Sequence, residues 1–221
     1  MAEHGVVPVG ALDTGLILTP ERYDPRRRPP AGTGPSIRGV AAAVSEQVSP
    51  KTARLDREYL VLDTGDAREG LILTAKPTVS GTQLGSNKKI VRPGDVIISR
   101  LRPYLRQVAY VDPALAPETV ELVCSTEFYV LRRQDEASIA FLVPVLLSRE
   151  VQEVLSASQE GGHHPRFNLA TLEGVRVPAR TLESRDDLSR SVEQAVQRAR
   201  VADVTMSSVV REVDDAAAAM S

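Results

Sequence analysis

Residues 93–111 read PGDVIISRLRPYLRQVAYV. The apolar runs Asp95–Ser99 and Gln107–Val111 predict two strands, and the residues between them form a connecting knuckle. No acidic residue occurs between Asp95 and Asp112. Arginine presents a planar fork of donors that fits phosphate or the edge of guanine, and tyrosine adds a stacking face with one polar group. The pattern therefore predicts a contact with an anionic partner through Arg100, Arg102, Tyr104 and Arg106.

Charge is concentrated around this stretch. Residues 88–106 hold six Lys or Arg and one acid, a local charge of +5, so the rest of the chain carries −7 to give the net charge of −2. A localised basic patch on an acidic protein favours a specific nucleic-acid reader over a non-specific binder. The alternative is a solvated face that only keeps the protein in solution. Lys88 and Lys89 join the candidate contacts, as phosphate ligands.

Composition sets the broad class. The chain has 221 residues, of which 42% are hydrophobic and 25% charged, enough for one core and an appendage. It contains no apolar run of the length that a membrane span needs, and its first residues lack the pattern of a signal peptide. The one cysteine, Cys124, has no internal disulfide partner. We therefore expect a cytoplasmic protein with no membrane partner.

Short β-like runs punctuated by Gly, Pro and Asp fill the first 180 residues. Ser36–Val48 is predicted to form a short helix, and Asp24–Pro35 and Thr78–Asn87 are predicted loops. The strands predicted besides the pair in 93–111 are Val6–Val9, Tyr59–Asp63, Leu71–Leu73, Ser125–Arg132 and Val175–Val177.

A helical pattern covers Ala137–Ala157, but it contains Pro144. Proline in a helix interior removes a hydrogen bond and clashes with the preceding turn. We therefore expect Pro144 in a first turn, a kink, or two short helices with Ser148 capping the second. The sequence GGHHPR at 161–166 predicts a turn, and Arg166 in it is a further candidate DNA contact.

The last 40 residues differ in kind, since no Pro or Gly follows Pro178. Thr181 is the expected N-cap of a long helix. Apolar residues alternate at spacings of four and three, which is typical of a coiled-coil seam; the alternative is an amphipathic helix lying on its own domain. The predicted dimerisation residues are Leu188, Val192, Ala195, Ala199, Ala202, Met206, Val209 and Val213.

Motifs for catalysis are weak. Cys124 with His163 or His164 could form a Cys–His pair, but Cys124 lies in an apolar run typical of a core strand. The adjacent histidines lack the spacing of a zinc site, and the chain has neither a phosphate-binding loop nor a dinucleotide fingerprint. We therefore expect no catalytic residues, no metal and no cofactor.

Several segments, in order, resemble the specificity subunit of type I restriction–modification systems. They are Val9–Leu12, Pro93–Leu105, Cys124–Phe128, Phe141–Leu155, Gly161–Phe167 and Leu172–Pro178. The resemblance implies an α/β (α+β) recognition domain over residues 1–180, with a mixed sheet and short helices, followed by a coiled-coil spacer helix over 181–221. Members of the family usually carry two such domains and two helices, so this chain resembles half a subunit.

The resemblance also implies a function. Each recognition domain of the family reads one half of a split site in double-stranded DNA, and methyltransferase and restriction (motor–nuclease) subunits dock on the specificity subunit. A half subunit can restore the usual arrangement as a homodimer through its helix, which would read an inverted repeat. The alternative function is a coiled-coil interaction module that assembles a defence or regulatory complex without reading DNA.

Overall fold

The computed structural model describes residues 34–72, 76–160 and 165–218, together with Val9. The predicted strand Val6–Val9, most of the loop Asp24–Pro35 and the two adjacent histidines fall outside these ranges. The strands are β1 Ala41–Val44, β2 Gln47–Val48, β3 Glu58–Leu62, β4 Ala67–Arg68, β5 Leu71–Ile72, β6 Val79–Ser80, β7 Lys88–Ile90, β8 Val96–Ser99, β9 Val108–Tyr110, β10 Val120–Ser125 and β11 Phe128–Arg133.

The strands form two main sheets. A four-stranded antiparallel sheet has the order β1-β11-β8-β9, and a five-stranded sheet has the order β2-β7-β10-β3-β6. The second sheet is mixed, because β10 pairs in parallel with β3 and antiparallel with β7. Strands β4 and β5 form a small separate pair. The predicted α+β class with a mixed sheet is confirmed.

Strand β8 lies at the centre of the protein. Val96 and Ile98 point into a core formed with the helices, while Ile97 points into a second core shared with the five-stranded sheet. All four β8 residues are buried. A strand that is covered on both faces needs a continuous apolar run, which explains why this segment does not alternate with polar residues.

The predicted strand Ser125–Arg132 was wrong only at its start: it corresponds to β11, and Ser125 belongs to β10. The chain leaves the five-stranded sheet at the end of β10, turns at Thr126 and Glu127, and enters the four-stranded sheet as β11. Phe128 then pairs with Ser99 at the end of β8. This crossing brings Glu127 to the same end of the protein as the arginine knuckle.

Two other predictions were wrong. Ser36–Val48 contains a 3-10 turn and strands β1 and β2, because the pairing of Ala41–Val44 with β11 overrides the helix propensity of its alanines. Val175 and Val177 are buried but form no strand; only Arg176, between them, forms an isolated bridge, to Ser36.

The helices are α1 Leu142–Leu147, α2 Arg149–Ala157, α3 Leu169–Gly174, α4 Ala179–Glu183 and α5 Arg185–Ala218. The prediction for the proline-containing segment is confirmed: Pro144 lies in the first turn of α1, and Ser148 caps α2 by accepting from the amide of Val151. The N-cap prediction for Thr181 was wrong. Pro178 precedes α4, Thr181 lies inside it, and the chain breaks at Ser184 before α5 begins. No helix among the described residues is long and apolar enough to cross a membrane.

Candidate functional site

The knuckle between β8 and β9 is a strained, exposed turn. Pro103–Leu105 forms one 3-10 turn, bracketed by Arg102 at φ 44° and Arg106 at φ 53°. Left-handed backbone at a residue other than glycine costs about 1–3 kcal/mol and is common at functional sites. Pro103 is buried, whereas the Tyr104 side chain is 66% exposed and Leu105 is 42% exposed. The turn thus holds Tyr104 out towards solvent on a rigid base.

Glu127 lies beside the knuckle and binds two of the candidate arginines. Nε and Nη2 of Arg166 donate to its two carboxylate oxygens at 2.9 and 2.8 Å, and Nε of Arg100 donates at 2.8 Å. The backbone completes the junction, because the Phe167 amide donates to the Arg100 carbonyl at 3.2 Å. We call Lys89, Arg100, Glu127, Tyr129 and Arg166 the Glu127 cluster.

Arg166 and Arg100 stabilise the ionised form of the Glu127 carboxylate. The hydrogen bonds from Arg166 lower the pKa of Glu127 most, and Arg100 adds to them, so that the pKa falls to about 2 although desolvation opposes the shift. The hydrogen bond that Arg100 donates to Glu127 raises the pKa of Arg100, as does a hydrogen bond with Tyr129. Glu127 therefore stays ionised at any physiological pH.

Lys89 completes the cluster from the neighbouring sheet. Its Nζ donates to the Phe128 carbonyl at 2.6 Å and lies 5.4 Å from the centroid of the Tyr129 ring. Desolvation lowers the pKa of this half-buried lysine, and the nearby charge of Arg100 adds to that effect. With Lys89 protonated, three cations surround one carboxylate, so the cluster carries a net positive charge.

The structure separates the remaining candidate residues. Lys88 donates to the Ser86 hydroxyl at 2.9 Å, while Arg102 and Tyr104 are exposed on the knuckle. Arg106 points away: its Nε donates to Glu69 at 3.1 Å and its Nη1 to the Leu147 carbonyl at 3.0 Å. Its side chain ties the knuckle to α1 and to the loop before β5. Of the seven candidate DNA contacts, Lys89, Arg100 and Arg166 are thus brought together around Glu127.

A second cluster of ion pairs, at the Gly94–Asp95 turn before β8, stabilises the fold. Asp95, only 2% exposed, accepts two hydrogen bonds from Arg132, at 2.9 and 2.8 Å, and one from the Arg92 amide at 2.7 Å. Glu46 bridges the side chains of Arg92 and Arg132. Asp95, the acid within the basic stretch 88–106, is therefore a structural residue that holds β11 against the turn before β8.

Cys124 is a core residue. It is fully buried at the end of β10, and desolvation raises the pKa of its thiol to about 12. A thiol must ionise to act as a nucleophile, and this one stays protonated at neutral pH. No cluster of His, Cys, Asp and Glu suited to a metal ion occurs within the described ranges.

The first half of α5 lies on the domain. Ser189 and Val196 are buried, and Leu188 and Val192 pack against the core from partly exposed positions. The Glu193 carboxylate accepts from the hydroxyls of Ser138 at 2.6 Å and Tyr110 at 3.3 Å. The first half of α5 is therefore an amphipathic helix that lies on its own domain, which was the alternative to a coiled-coil seam.

The second half of α5 extends beyond the domain. Of residues 201–218, all but Ser207 are exposed, among them Met206 (65%), Val209 (50%) and Val213 (64%). Ala195 and Ala202 are also exposed, and Ala199 is half-buried. Where the helix leaves the domain, a groove of about 130 Å³ is lined by Val196 and Ala199 of the helix and by Leu71 and Leu115 of the domain.

No protein-family model and no curated protein sequence matches the chain. Solved structures do. A chain from a type I R-M system, determined in work on its complex assembly and conformational transition, has a TM-score of 0.58 and 25% identity, covering 85% of this chain and 48% of that one. The HsdS subunit from Thermoanaerobacter tengcongensis has a TM-score of 0.55 and 21% identity, covering 85% and 47%. The chain spans about half the length of both. The resemblance is confirmed in three dimensions: the chain is structurally similar to HsdS specificity subunits of type I restriction–modification systems.

Proposed function

We propose that the chain is a sequence-specific DNA-binding specificity subunit of a type I-like restriction–modification or related phage-defence complex. Residues 1–180 read one half-site, and 181–221 form the spacer helix. Methyltransferase and restriction subunits bind to it and perform the chemistry, so the chain itself is not an enzyme. One observation carries the proposal: on a fold similar to HsdS, cations from three separate segments converge at one end, next to an exposed arginine–tyrosine knuckle.

The geometry supports base readout rather than general adhesion. Lys89, Arg100 and Arg166 are all held by hydrogen bonds from the side chain, and Arg100 is only 34% exposed. Side chains fixed in this way by a scaffold can meet a base edge with defined geometry. The freely exposed Arg102 and Tyr104 suit contacts to phosphate and sugar. Lys88, on strand β7, suits a phosphate contact as well.

The proposal includes a homodimer through α5. Of the predicted seam, Leu188 and Val192 pack on their own domain, which leaves Ala195, Ala199, Ala202, Met206, Val209 and Val213 for a partner. The three seam residues nearer the domain are alanines, whereas the three farther out, Met206, Val209 and Val213, have large side chains. This division favours an antiparallel pair of identical helices.

An antiparallel alignment centred at the level of Val204 places each small residue opposite a large one. Ala195 faces Val213 of the second copy, Ala199 faces Val209, and Ala202 faces Met206. A parallel alignment would instead oppose alanine to alanine and methionine to methionine, which leaves gaps in one half and crowding in the other. Alternating large and small residues across a seam give even packing.

The flanks of the seam agree with the same alignment. In antiparallel coiled coils, equivalent flanking positions of the two helices meet. Here Arg198 lies opposite Glu212 of the second copy. Each contact occurs twice because the pair is symmetric. A two-fold dimer of this kind reads an inverted repeat.

The test is selection from a randomised duplex library, with the chain alone and with a type I methyltransferase subunit present, followed by sequencing of the retained DNA. An enriched split inverted repeat supports both the reader and the dimer. An enriched asymmetric site supports the reader and overturns the homodimer. No enrichment in either condition overturns DNA readout in favour of the interaction module.

A further inference from the structure

Glu127 is an unexpected residue for a DNA-binding surface. Its carboxylate sits among three cations, where a phosphate group would otherwise be attracted, and it remains ionised. An acid at such a position repels the DNA backbone and reduces non-specific affinity. A residue that weakens general binding needs a compensating role, and its contacts indicate which one.

The contacts of Glu127 fix the guanidinium plane of Arg166 and hold Arg100 at one nitrogen. Arg166 is held through two parallel hydrogen bonds from Nε and Nη2, which define its plane, while Arg100 is held through Nε. A free arginine side chain loses up to about 2 kcal/mol of rotational entropy when it is ordered. Bracing by Glu127 removes most of that loss from the binding step, and Arg100 also forms a hydrogen bond with the side chain of Tyr129.

We infer that Glu127 is a positioning residue for sequence discrimination: it orients Arg100 for one base edge and, by its charge, disfavours DNA that offers only phosphate. This inference rests on the proposed function and deepens it. Specificity is a difference between two affinities, and Glu127 acts on both, since bracing favours the correct base and repulsion disfavours the wrong sequence.

Two substitutions separate the two effects. Glu127→Gln removes the charge at nearly constant volume, so non-specific affinity should rise about three- to tenfold and the slope of log K against log salt should steepen by about one. Glu127→Asp keeps the charge but shortens the side chain so that it no longer reaches both arginines. Non-specific affinity should then stay near that of the unmodified protein, while discrimination falls.

The experiment measures dissociation constants by fluorescence anisotropy over a salt series, for the duplex selected from the library and for a scrambled duplex of equal length. Both variants should lose at least about tenfold in the ratio of the two constants. Glu46→Gln is the matched control, because Glu46 is also a carboxylate shared by two arginines but lies outside the cluster. Its ratio should not change.

The inference is overturned if both Glu127 variants weaken binding to the two duplexes equally, which a purely structural role predicts. It is also overturned if either variant, with a melting temperature like that of the unmodified protein, keeps the full ratio. If the unmodified protein itself shows no preference for any duplex, the proposed function fails first, and that result is distinct from the others. A Gln variant that does not fold leaves the Asp variant to decide.

Discussion

Arg200 of α5 donates from Nε to Oδ2 of Asp112 at 2.6 Å, and this ion pair is the outermost charged contact between the helix and the domain among the described residues. Asp112 lies two residues after the end of β9, so the helix is tied to the same strand that carries the far side of the knuckle. Beyond this pair the helix is exposed. The direction in which it leaves the domain therefore depends on Arg200 and Asp112.

Arg200→Ala should loosen the helix without unfolding the domain. The pair is largely shielded from water, with side chains 29% and 14% exposed, so its loss should lower the free energy of unfolding by about 1–2 kcal/mol. Amide hydrogen exchange over residues 196–204 should accelerate, while exchange in β8 should not. Arg211→Ala, on the exposed part of the helix, is the control; equal exchange in both variants would contradict a tethering role.

Asp95→Asn should destabilise the fold far more than a surface charge would. Asp95 is buried and accepts three hydrogen bonds, so the substitution leaves Arg132 with only its longer contact to the half-exposed Glu46, at a loss of about 3 kcal/mol. Glu46→Gln breaks the exposed side of the same network and should change stability by less than about 1 kcal/mol. Urea denaturation gives both values. Similar losses would show that Asp95 is not the anchor of the turn.

The sequence was sufficient where a pattern is local. The β8 run, the cap at Ser148 and the helical character of the last segment all follow from neighbouring residues, whereas the break at Ser184 was not predicted. Glu127 was missed because its importance depends on the pairing of Phe128 with Ser99, which brings an acid from the turn between β10 and β11 to a stretch that has none of its own. The alanine-rich segment Ala41–Val44 was mistaken for a helix for a similar reason, since its partner strand lies almost 90 residues away in the chain.

The two ends of the knuckle should respond differently to substitution. Arg102→Ala and Tyr104→Ala remove exposed side chains, so we expect DNA affinity to fall about three- to tenfold with an unchanged melting temperature. Arg106→Ala instead removes the hydrogen bonds to Glu69 and to the Leu147 carbonyl, which should cost about 1–2 kcal/mol of stability. Anisotropy and thermal unfolding distinguish the two effects. A stable Arg106 variant with weak DNA binding would assign Arg106 to the interface after all.

Acid should reveal the ionised state of Glu127. Its pKa is about 2 in the fold against 4.5 for a free glutamate, so its stabilising contribution is complete above pH 4.5 and is lost as the pH falls towards 2. Because water screens the partly exposed cluster, we expect the contribution to be about 1 kcal/mol. The stability difference between the protein and Glu127→Gln should therefore shrink between pH 5 and pH 3. Glu118→Gln, in an exposed loop, controls for the loss of a carboxylate; a pH-independent difference would mean that the arginines do not hold the charge.

Engineered cysteines should report the direction of the helix pair. In the antiparallel alignment Ala199 faces Val209 of the second copy, whereas the two copies of Ala199 lie about 15 Å apart along the axis, at 1.5 Å per residue over ten residues. Ala199→Cys alone and Val209→Cys alone should give no cross-linked dimer under mild oxidation, and the double variant should give one readily. The buried Cys124 should not interfere.

Charge reversal provides an independent check on the same pair of helices. Arg198→Glu should weaken the dimer, because it places two acids at the Arg198–Glu212 contact, and adding Glu212→Arg should restore it. In a parallel dimer Arg198 would instead approach Asp203 of the second copy, so the second change would not rescue the first. Sedimentation velocity measures the association. Cross-linking of either single cysteine, or failure of the charge rescue, would exclude the antiparallel register. A parallel pair of the same helices would also be two-fold symmetric, so these tests decide the register of the dimer and not the inverted repeat, which follows from the symmetry.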